Sequence, residues 1–489
     1  MTSRENPRSD VTSDMDLVAT SSSAAARMCC TMLEPVLTNR VTLQNDSLYQ
    51  VERDGTWSQT CWLPATCFVR PSTSQEVAET LKAVKQSGSK FAVRCGGHNP
   101  NPGFSSSDDS GIVIDLRELN TLHLGEDGIL QVGAGNKWGA VYEYLEEREL
   151  TIIGGRHKDV GVSGYLLGGG MPAFPGLYGL GADQIKNVEI VLADATVVNA
   201  NKESNPDLLQ VLKGGGSNFG IVTRFDIQTY PQIKTQYTVN VYDPSDYVNI
   251  MRAGAELQKA MEADPKIGTF TYVNPTFIAV GLFYAEWVEK RPQAFDTFFN
   301  LKSLISAAVP TTNGTMRDLV LAIGTDFPVA RRQYASQASK VDADFYVNVY
   351  EHYQQVVKKY PAAGNLSYSM QPASTATIDI GEKKGGNILG LEKVPQCWWA
   401  FVAEWEGQQN DTVAQEAIDE LYKGMQKLAH EKGQWLDFIF MNEGKWTQDV
   451  LGSYGASSVS KMEKVKAKYD ANGVFQTLQQ GGYLLSKAV

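Results

Sequence analysis

A chain of 489 residues is long enough for more than one hydrophobic core, and 43% hydrophobic against 20% charged residues is an ordinary globular balance. The formal net charge of −11 argues against nucleic acid as a partner and against a polybasic contact with a membrane surface. No run approaches the ~18 apolar residues that a membrane span requires, so a membrane is not expected as a partner either.

The first residues, Met1-Thr2-Ser3-Arg4-Glu5-Asn6-Pro7, are polar and lack an apolar signal core. Residues 1–40 therefore read as a disordered or tail segment with one short helix at 24–37, and the chain as intracellular and cytoplasmic. Six cysteines are expected to be thiols in that setting, with Cys61 and Cys67 close enough in sequence to pair in an oxidising one. No Cys/His spacing suggests a metal site. The sequons at Asn45, Asn313, Asn365 and Asn410 are no more than chance supplies.

Thr73-Ser74-Gln75-Glu76 is a capping box, and Val77, Leu81 and Val84 follow at helical spacing. That helix feeds Lys90-Phe91-Ala92-Val93, a short apolar run that reads as a buried strand. Arg94-Cys95-Gly96-Gly97-His98 comes next. Two glycines at a strand end permit a sharp turn and a close approach of backbone to a ligand, and a bend of successive amides can cradle a pyrophosphate. His98 stands at the mouth of that turn.

Residues 111–116 and 129–135 read as further strands, the second running into a helix with Trp138, Val141, Tyr142 and Leu145 on one face. Gly133-x-Gly135 is followed by Trp138 where a nicotinamide-nucleotide fingerprint places its third glycine, which disfavours that fold. The stretch from Gly154 to Gly170 holds seven glycines and almost no helix signal. A strand at 188–194 follows, and Gly214-Gly215-Gly216 opens a third glycine-rich turn that leads through Gly220 into a strand at 221–227.

After Pro231 the pattern changes. Alternating runs at 237–242, 268–273, 277–285 and 397–405 read as strands. Amphipathic helices lie between and after them; in the last, Ile418, Leu421, Tyr422, Met425 and Leu428 form one apolar stripe. Such an order suggests an antiparallel sheet covered by helices on one face.

Taken in this order, the three glycine-rich stretches resemble the flavin domain of FAD-linked oxidases of the vanillyl-alcohol oxidase class, in particular the berberine-bridge-like branch and its fungal small-molecule members. Lys464-Val465-Lys466-Ala467-Lys468-Tyr469-Asp470-Ala471-Asn472-Gly473-Val474-Phe475 resembles the family's closing motif, departing from it at Ala471, where proline is usual. The resemblance implies an α+β fold with a two-subdomain PCMH-type FAD-binding domain and an antiparallel-sheet substrate domain covered by helices. Its boundaries would be 1–40 for the tail, 41–231 for the FAD-binding domain, 232–445 for the substrate domain and 446–489 for the return to the flavin domain.

It also implies FAD as cofactor, attached through His98, with Arg94, Cys95, Gly96, Gly97, Asn99, Val160, Gly161, Val162, Ser163, Gly164, Tyr165, Asp183, Gly220, Ile221 and Val222 around it. Val162 falls where the family governs oxygen access. His157 replaces the cysteine that makes a second attachment in some relatives, and imidazole there can hydrogen-bond or act as a base. A glutamate base stands in some relatives at the place of Ala400. The remaining candidates for catalysis are Tyr454, in a motif that resembles a tyrosine near the flavin, His157, and Glu404, which shares a strand face with Trp398, Ala400 and Val402. The aromatics Trp398, Trp399, Phe401, Tyr272 and Tyr284 suggest an apolar or aromatic ligand.

The function so implied is an oxidase that takes hydride from a small organic substrate of secondary metabolism and passes electrons to molecular oxygen with release of hydrogen peroxide. A flavin-containing cyclase and a catalytically silent binding protein are the alternatives.

Overall fold

The computed structural model describes residues 12–324 and 328–488; the polar start Met1–Pro7 lies outside them. Three sheets, three large hydrophobic cores and a small fourth cluster of Ala65, Phe68 and Val113 organise these residues. The first sheet contains β1 (Val41–Leu43), β2 (Cys67–Val69), β3 (Lys90–Arg94) and β4 (Gly111–Asp115) in the order β1-β2-β4-β3. The β2–β4 and β3–β4 pairs are parallel, and the helix Ser74–Ser87 is the crossover that parallel pairing requires. Thr73 caps that helix by accepting from the Glu76 N–H. The Glu76 carboxylate bonds Arg40 and Ser72 instead of completing the capping box.

The segment read as a tail is part of this core. The helix Thr12–Leu33 packs on the helix Ser74–Ser87 and on β4, and Cys29, Cys30, Leu33 and Leu37 are fully or almost fully buried. Cys30 forms a disulfide with Cys67 of β2, which corrects the expectation of six thiols and of a Cys61–Cys67 pairing; Cys29, Cys61, Cys95 and Cys397 are free. Disulfides are rare in the cytosol, so the bond also counts against the cytoplasmic reading. Closing a loop with a sequence separation of 37 restricts the unfolded chain. Cys30→Ser should lower unfolding stability by about 2–4 kcal/mol, measured by urea titration under non-reducing conditions. An unchanged midpoint would show that the docked helix alone holds the segment.

The second sheet contains β5 (Leu122–Leu124), β6 (Ile129–Gly133), β7 (Leu150–Ile152), β8 (Ile185–Val191), β9 (Val197–Asn201) and the long β10 (Ile221–Pro231). Its order is β5-β6-β10-β8-β9, with β7 also paired to β10. The helix Trp138–Glu146 buries Trp138, Val141, Tyr142 and Leu145, the face that the spacing marks as apolar.

The third sheet is antiparallel and eight-stranded: β11 (Thr235–Tyr242), β12 (Ile267–Asn274), β13 (Phe277–Tyr284), β14 (Leu304–Gly314), β15 (Arg331–Lys340), β16 (Asn365–Ala373), β17 (Gln396–Trp405) and β18 (Trp435–Leu436), in the order β14-β11-β13-β12-β16-β17-β15-β18. Helices Tyr247–Ala263, Ala343–Lys359 and Asp411–Lys432 cover one face. Period-two alternation splits β17: Trp399, Phe401, Ala403 and Trp405 enter the helical core, and Trp398 joins the core shared with the second sheet. The last residues return to the first sheet, where Phe91 N–H donates to Leu478 O at 2.9 Å and Gln480 N–H to Phe91 O at 2.7 Å. Among the described residues no helix is long and apolar enough to cross a membrane.

Candidate active site

β3 delivers the chain to the centre of the molecule. At its end Arg94 turns into the protein: Nε donates to Asp115 at 2.6 Å, and Nη1 and Nη2 to the Glu52 carbonyl and carboxylate at 2.7 and 3.1 Å. Buried charge of this kind is stable only when paired. Arg94 anchors the strand end and does not border the cavity beyond it. The Cys95 thiol donates to Ala134 O at 2.8 Å, and burial raises its pKa. Gly97 adopts φ 64°, a left-handed conformation that glycine takes without steric cost.

The second glycine stretch meets this turn back to back. A Cβ on Gly96 would lie 2.4 Å from Gly161 N, and one on Gly161 would lie 2.5 Å from Gly96 N and 2.7 Å from Cys95 Sγ. Gly154 and Gly155 serve a different neighbour, for a Cβ on either would strike the Trp138 ring at 2.3 or 2.5 Å. The stretch also contains the short helix Val162–Leu167, which its glycine content concealed. Gly164 on that helix has open space where a side chain would begin. The third stretch closes the floor: Gly216 N–H donates to Leu167 O at 3.0 Å, and the Asn218 amide donates to Gly215 O and Tyr483 O at 2.8 and 2.9 Å.

Between these turns and the third sheet lies a cavity of about 840 Å³. Cys95, Gly96, Gly97, His98, Asn99, Val160, Gly161, Ser163, Gly164, Tyr165, Gly220, Ile221 and Val222 border it, together with His157 and Glu404. Val162, Asp183 and Tyr454 lie outside its lining. Val162 is buried in the core, and Asp183 accepts from Leu180 N–H and from the Asn387 amide. Tyr454 is buried against Phe438 with ring centroids 5.7 Å apart. Of the five aromatics expected to form the pocket only Tyr272 borders it; Phe270, Phe277 and Tyr334 stand beside it in the lining, and Phe104, Tyr165, Phe440 and Tyr483 also border the cavity.

His98 stacks on Trp57 with centroids 4.6 Å apart and lies 5.8 Å from the His157 ring. Burial, with smaller contributions from His157 and Arg332, lowers its pKa to about 3, so the imidazole is neutral at physiological pH. His157 Nδ1 accepts from the Asp159 N–H at 3.2 Å, which leaves the proton of a neutral ring on Nε2. Glu404 accepts from Arg332 Nε at 2.6 Å.

One ionisable group at the cavity had no signal in the sequence. Glu443 ends the short turn Met441–Glu443, and both of its carboxylate oxygens accept from Gln371 Nε2 at 2.7 Å. The Gln371 carbonyl oxygen in turn accepts from Arg156. The three side chains come from the second glycine stretch, β16 and the turn after β18, so only the folded chain assembles them. Burial pushes the Glu443 carboxyl up to about 7.

A model described as an FAD binding domain matches residues 65–201. An FAD-dependent monooxygenase of Arthrobotrys oligospora is 36% identical over 464 residues, covering 94% of this chain and 90% of its own. The chain belongs to the family of these FAD-dependent oxidoreductases. In fold, this family member is similar to 6-hydroxy-D-nicotine oxidase of Arthrobacter nicotinovorans, with TM-score 0.75, 20% identity, and 89% and 96% of the two chains covered. It is also similar to the glucooligosaccharide oxidase of Acremonium strictum, whose FAD is described as 6-S-cysteinyl and 8α-N1-histidyl, with TM-score 0.74, 15% identity, and 91% and 97% covered.

The cofactor is FAD, and the cavity fits it. Bare glycine backbone at Gly96, Gly161 and Gly164 forms one wall, as close approach of an extended dinucleotide requires, and a volume of about 840 Å³ stands in the upper part of the ~300–1,000 Å³ range of small-molecule sites. The apolar side chains of Leu116, Met171, Ile221 and Val222 offer surface for its rings.

Proposed function

We propose that this enzyme is an oxidase with FAD held covalently through His98 alone, acting on a small organic substrate of secondary metabolism. The observation that carries this reading is the position of His98: a neutral imidazole beside the paired glycine turns, with a second histidine rather than a cysteine across from it. When bound, the flavin supplies a two-electron acceptor for hydride from a carbon bearing, or next to, a hydroxyl, amine or activated ring, and molecular oxygen takes the electrons as hydrogen peroxide.

The chain's own residues must remove the accompanying proton. Tyr454 is separated from the cavity, and burial holds its pKa far above the phenol range. Glu404 is engaged by Arg332, and His157 in its neutral form presents a proton rather than a lone pair at Nε2. Glu443 is the better acceptor: its oxygens are oriented by Gln371, and it titrates near neutrality, where a general base is most effective. Phe270, Tyr272, Phe277 and Tyr334 would seat an apolar or aromatic substrate across from the glycine turns.

Oxygen insertion is a second reading, favoured by the monooxygenase name that the fungal relative carries. Anaerobic photoreduction of the holoenzyme, followed by mixing with oxygen, tests the oxidase reading without a known substrate. Fast reoxidation with one peroxide released per flavin is expected; reoxidation no faster than that of free flavin would sink it. Isotope from labelled oxygen in the product of a turned-over substrate would favour insertion, and a substrate isomerised without oxygen uptake would favour the cyclase.

A further inference from the structure

Trp57 ties the two halves of the molecule together at the flavin-linking histidine. Its backbone N–H donates to the carbonyl of Gly97, the residue before His98, at 2.9 Å. Its carbonyl accepts from Arg332 Nη1 of β15 at 2.5 Å. The indole lies nearly parallel to the His98 ring, with 13° between planes and 4.6 Å between centroids. Tyr334 of β15 stacks on the same indole at 5.3 Å, and the Arg332 guanidinium lies 4.4 Å from its centroid. Arg332 is itself fixed: its backbone N–H donates to Ser58 Oγ at 2.8 Å and its Nε to Glu404 of β17.

An imidazole on a turn containing glycine can rotate about its side-chain bonds, and a bond to a flavin forms only in a narrow range of ring orientations. Stacking on an indole that is held from the other domain restricts that rotation. We propose that Trp57 is a positioning residue for flavin attachment, clamped by Arg332 and Tyr334 so that His98 is set for reaction only when the third sheet has docked. The inference rests on the reading of His98 given above. The step replaces one C–H bond of the flavin's methyl group and the imidazole N–H by one C–N bond. The two protons and two electrons released pass to molecular oxygen, which becomes hydrogen peroxide.

The test reads covalent against total flavin in purified holoenzyme, by acid precipitation and by mass spectrometry of the His98 peptide. Wild type is measured first: flavin released wholly into the supernatant would overturn the linkage itself, and this inference with it. With wild type covalent, Trp57→Leu should lower the covalent fraction at least tenfold while total flavin and melting temperature stay near wild type. Trp57→Phe, which keeps an aromatic face, should retain at least half of the wild-type fraction. A wild-type fraction in Trp57→Leu, or equal loss in both variants, would overturn the positioning role. If Trp57→Leu does not accumulate as folded protein, Tyr334→Leu removes the support behind the indole. A several-fold lower covalent fraction there supports the clamp, and an unchanged one overturns it.

Discussion

Gly161→Ala should strip the enzyme of flavin. The added Cβ would stand 2.5 Å from Gly96 N, 2.7 Å from Cys95 Sγ and 2.9 Å from Gly96 Cα, and two of those three atoms are backbone. Neither turn is free to retreat. The second is held by bonds from Trp138 N–H to Val160 O at 3.1 Å and from Val162 N–H to Asn136 O at 3.0 Å. In the first, Cys95 is held to Ala134 O, and the Gly97 carbonyl is held by Trp57 N–H. The backbone at Gly161 has no unusual dihedral, with φ −71°, so the cost is one of contact rather than of conformation. Overpacking in a rigid site typically costs 1–3 kcal/mol, and separating two turns that jointly form the cofactor wall adds to it. We expect flavin retention to fall on the order of 100-fold, read as the flavin-to-protein absorbance ratio after gel filtration, together with a lower melting temperature. Gly164→Ala is the control, because nothing lies within 4 Å of its Cβ and the side chain would point into open space. That variant should melt like wild-type apoprotein, with any loss confined to flavin. Full flavin content in Gly161→Ala would show that the turns part readily.

The glycine turns were legible because paired glycines at a strand end answer to few needs besides a sharp turn or a close approach, and their order along the chain made the family recognisable. What the pattern did not reveal is which glycines serve the cofactor and which serve a neighbour, as Gly154 and Gly155 do for Trp138. β15 carries no such signal. Its sequence alternates nothing: Arg332, Gln333, Ser336, Gln337 and Ser339 are all buried, and several are satisfied by partners far away in the chain, such as Asn101 for Gln333 and the Leu436 carbonyl for Gln337. Hydrophobic periodicity has no access to a strand whose interior contacts are polar. The docked helix did carry a signal, since Ala26, Cys29, Cys30 and Leu33 recur at helical spacing and a short helix was legible there; the polar composition before them masked its docking on the core. Tyr454 is a different case. A motif locates a residue in the chain, whereas the direction of its ring is decided by packing, here against Phe438. Glu443 had no local signature, because its raised pKa comes from burial in the folded chain and its orientation from Gln371 in a remote segment.

Glu443→Gln should have two effects of opposite sign. The carboxyl is pushed up to about 7 from an ordinary value of 4.5, chiefly by burial, with Arg156 and Gln371 opposing that shift. Between those two values the folded chain holds a proton that the unfolded chain has released, so stability falls as pH rises through the window and the penalty is complete above 7. Below about 4.5 both states are protonated and the penalty vanishes. A glutamine cannot ionise and escapes it. The carboxyl also faces the cavity, where water screens part of the charge, so the variant should gain roughly 1–3 kcal/mol over wild type at pH 8 relative to the difference at pH 4.5. Turnover should move the other way. A positioned general base contributes about 10²–10⁴-fold, and that much should be lost with any substrate the enzyme oxidises. Wild-type activity should rise with pH through about 7 as the acceptor ionises, and Glu443→Gln should lose that limb of the profile. Wild-type turnover in the variant, with the rising limb intact, would remove Glu443 as the acceptor and return the role to His157 or Glu404. A variant that is stabilised at high pH and yet slow is the result that ties the buried carboxyl to the chemistry, since a purely structural glutamate would not yield both.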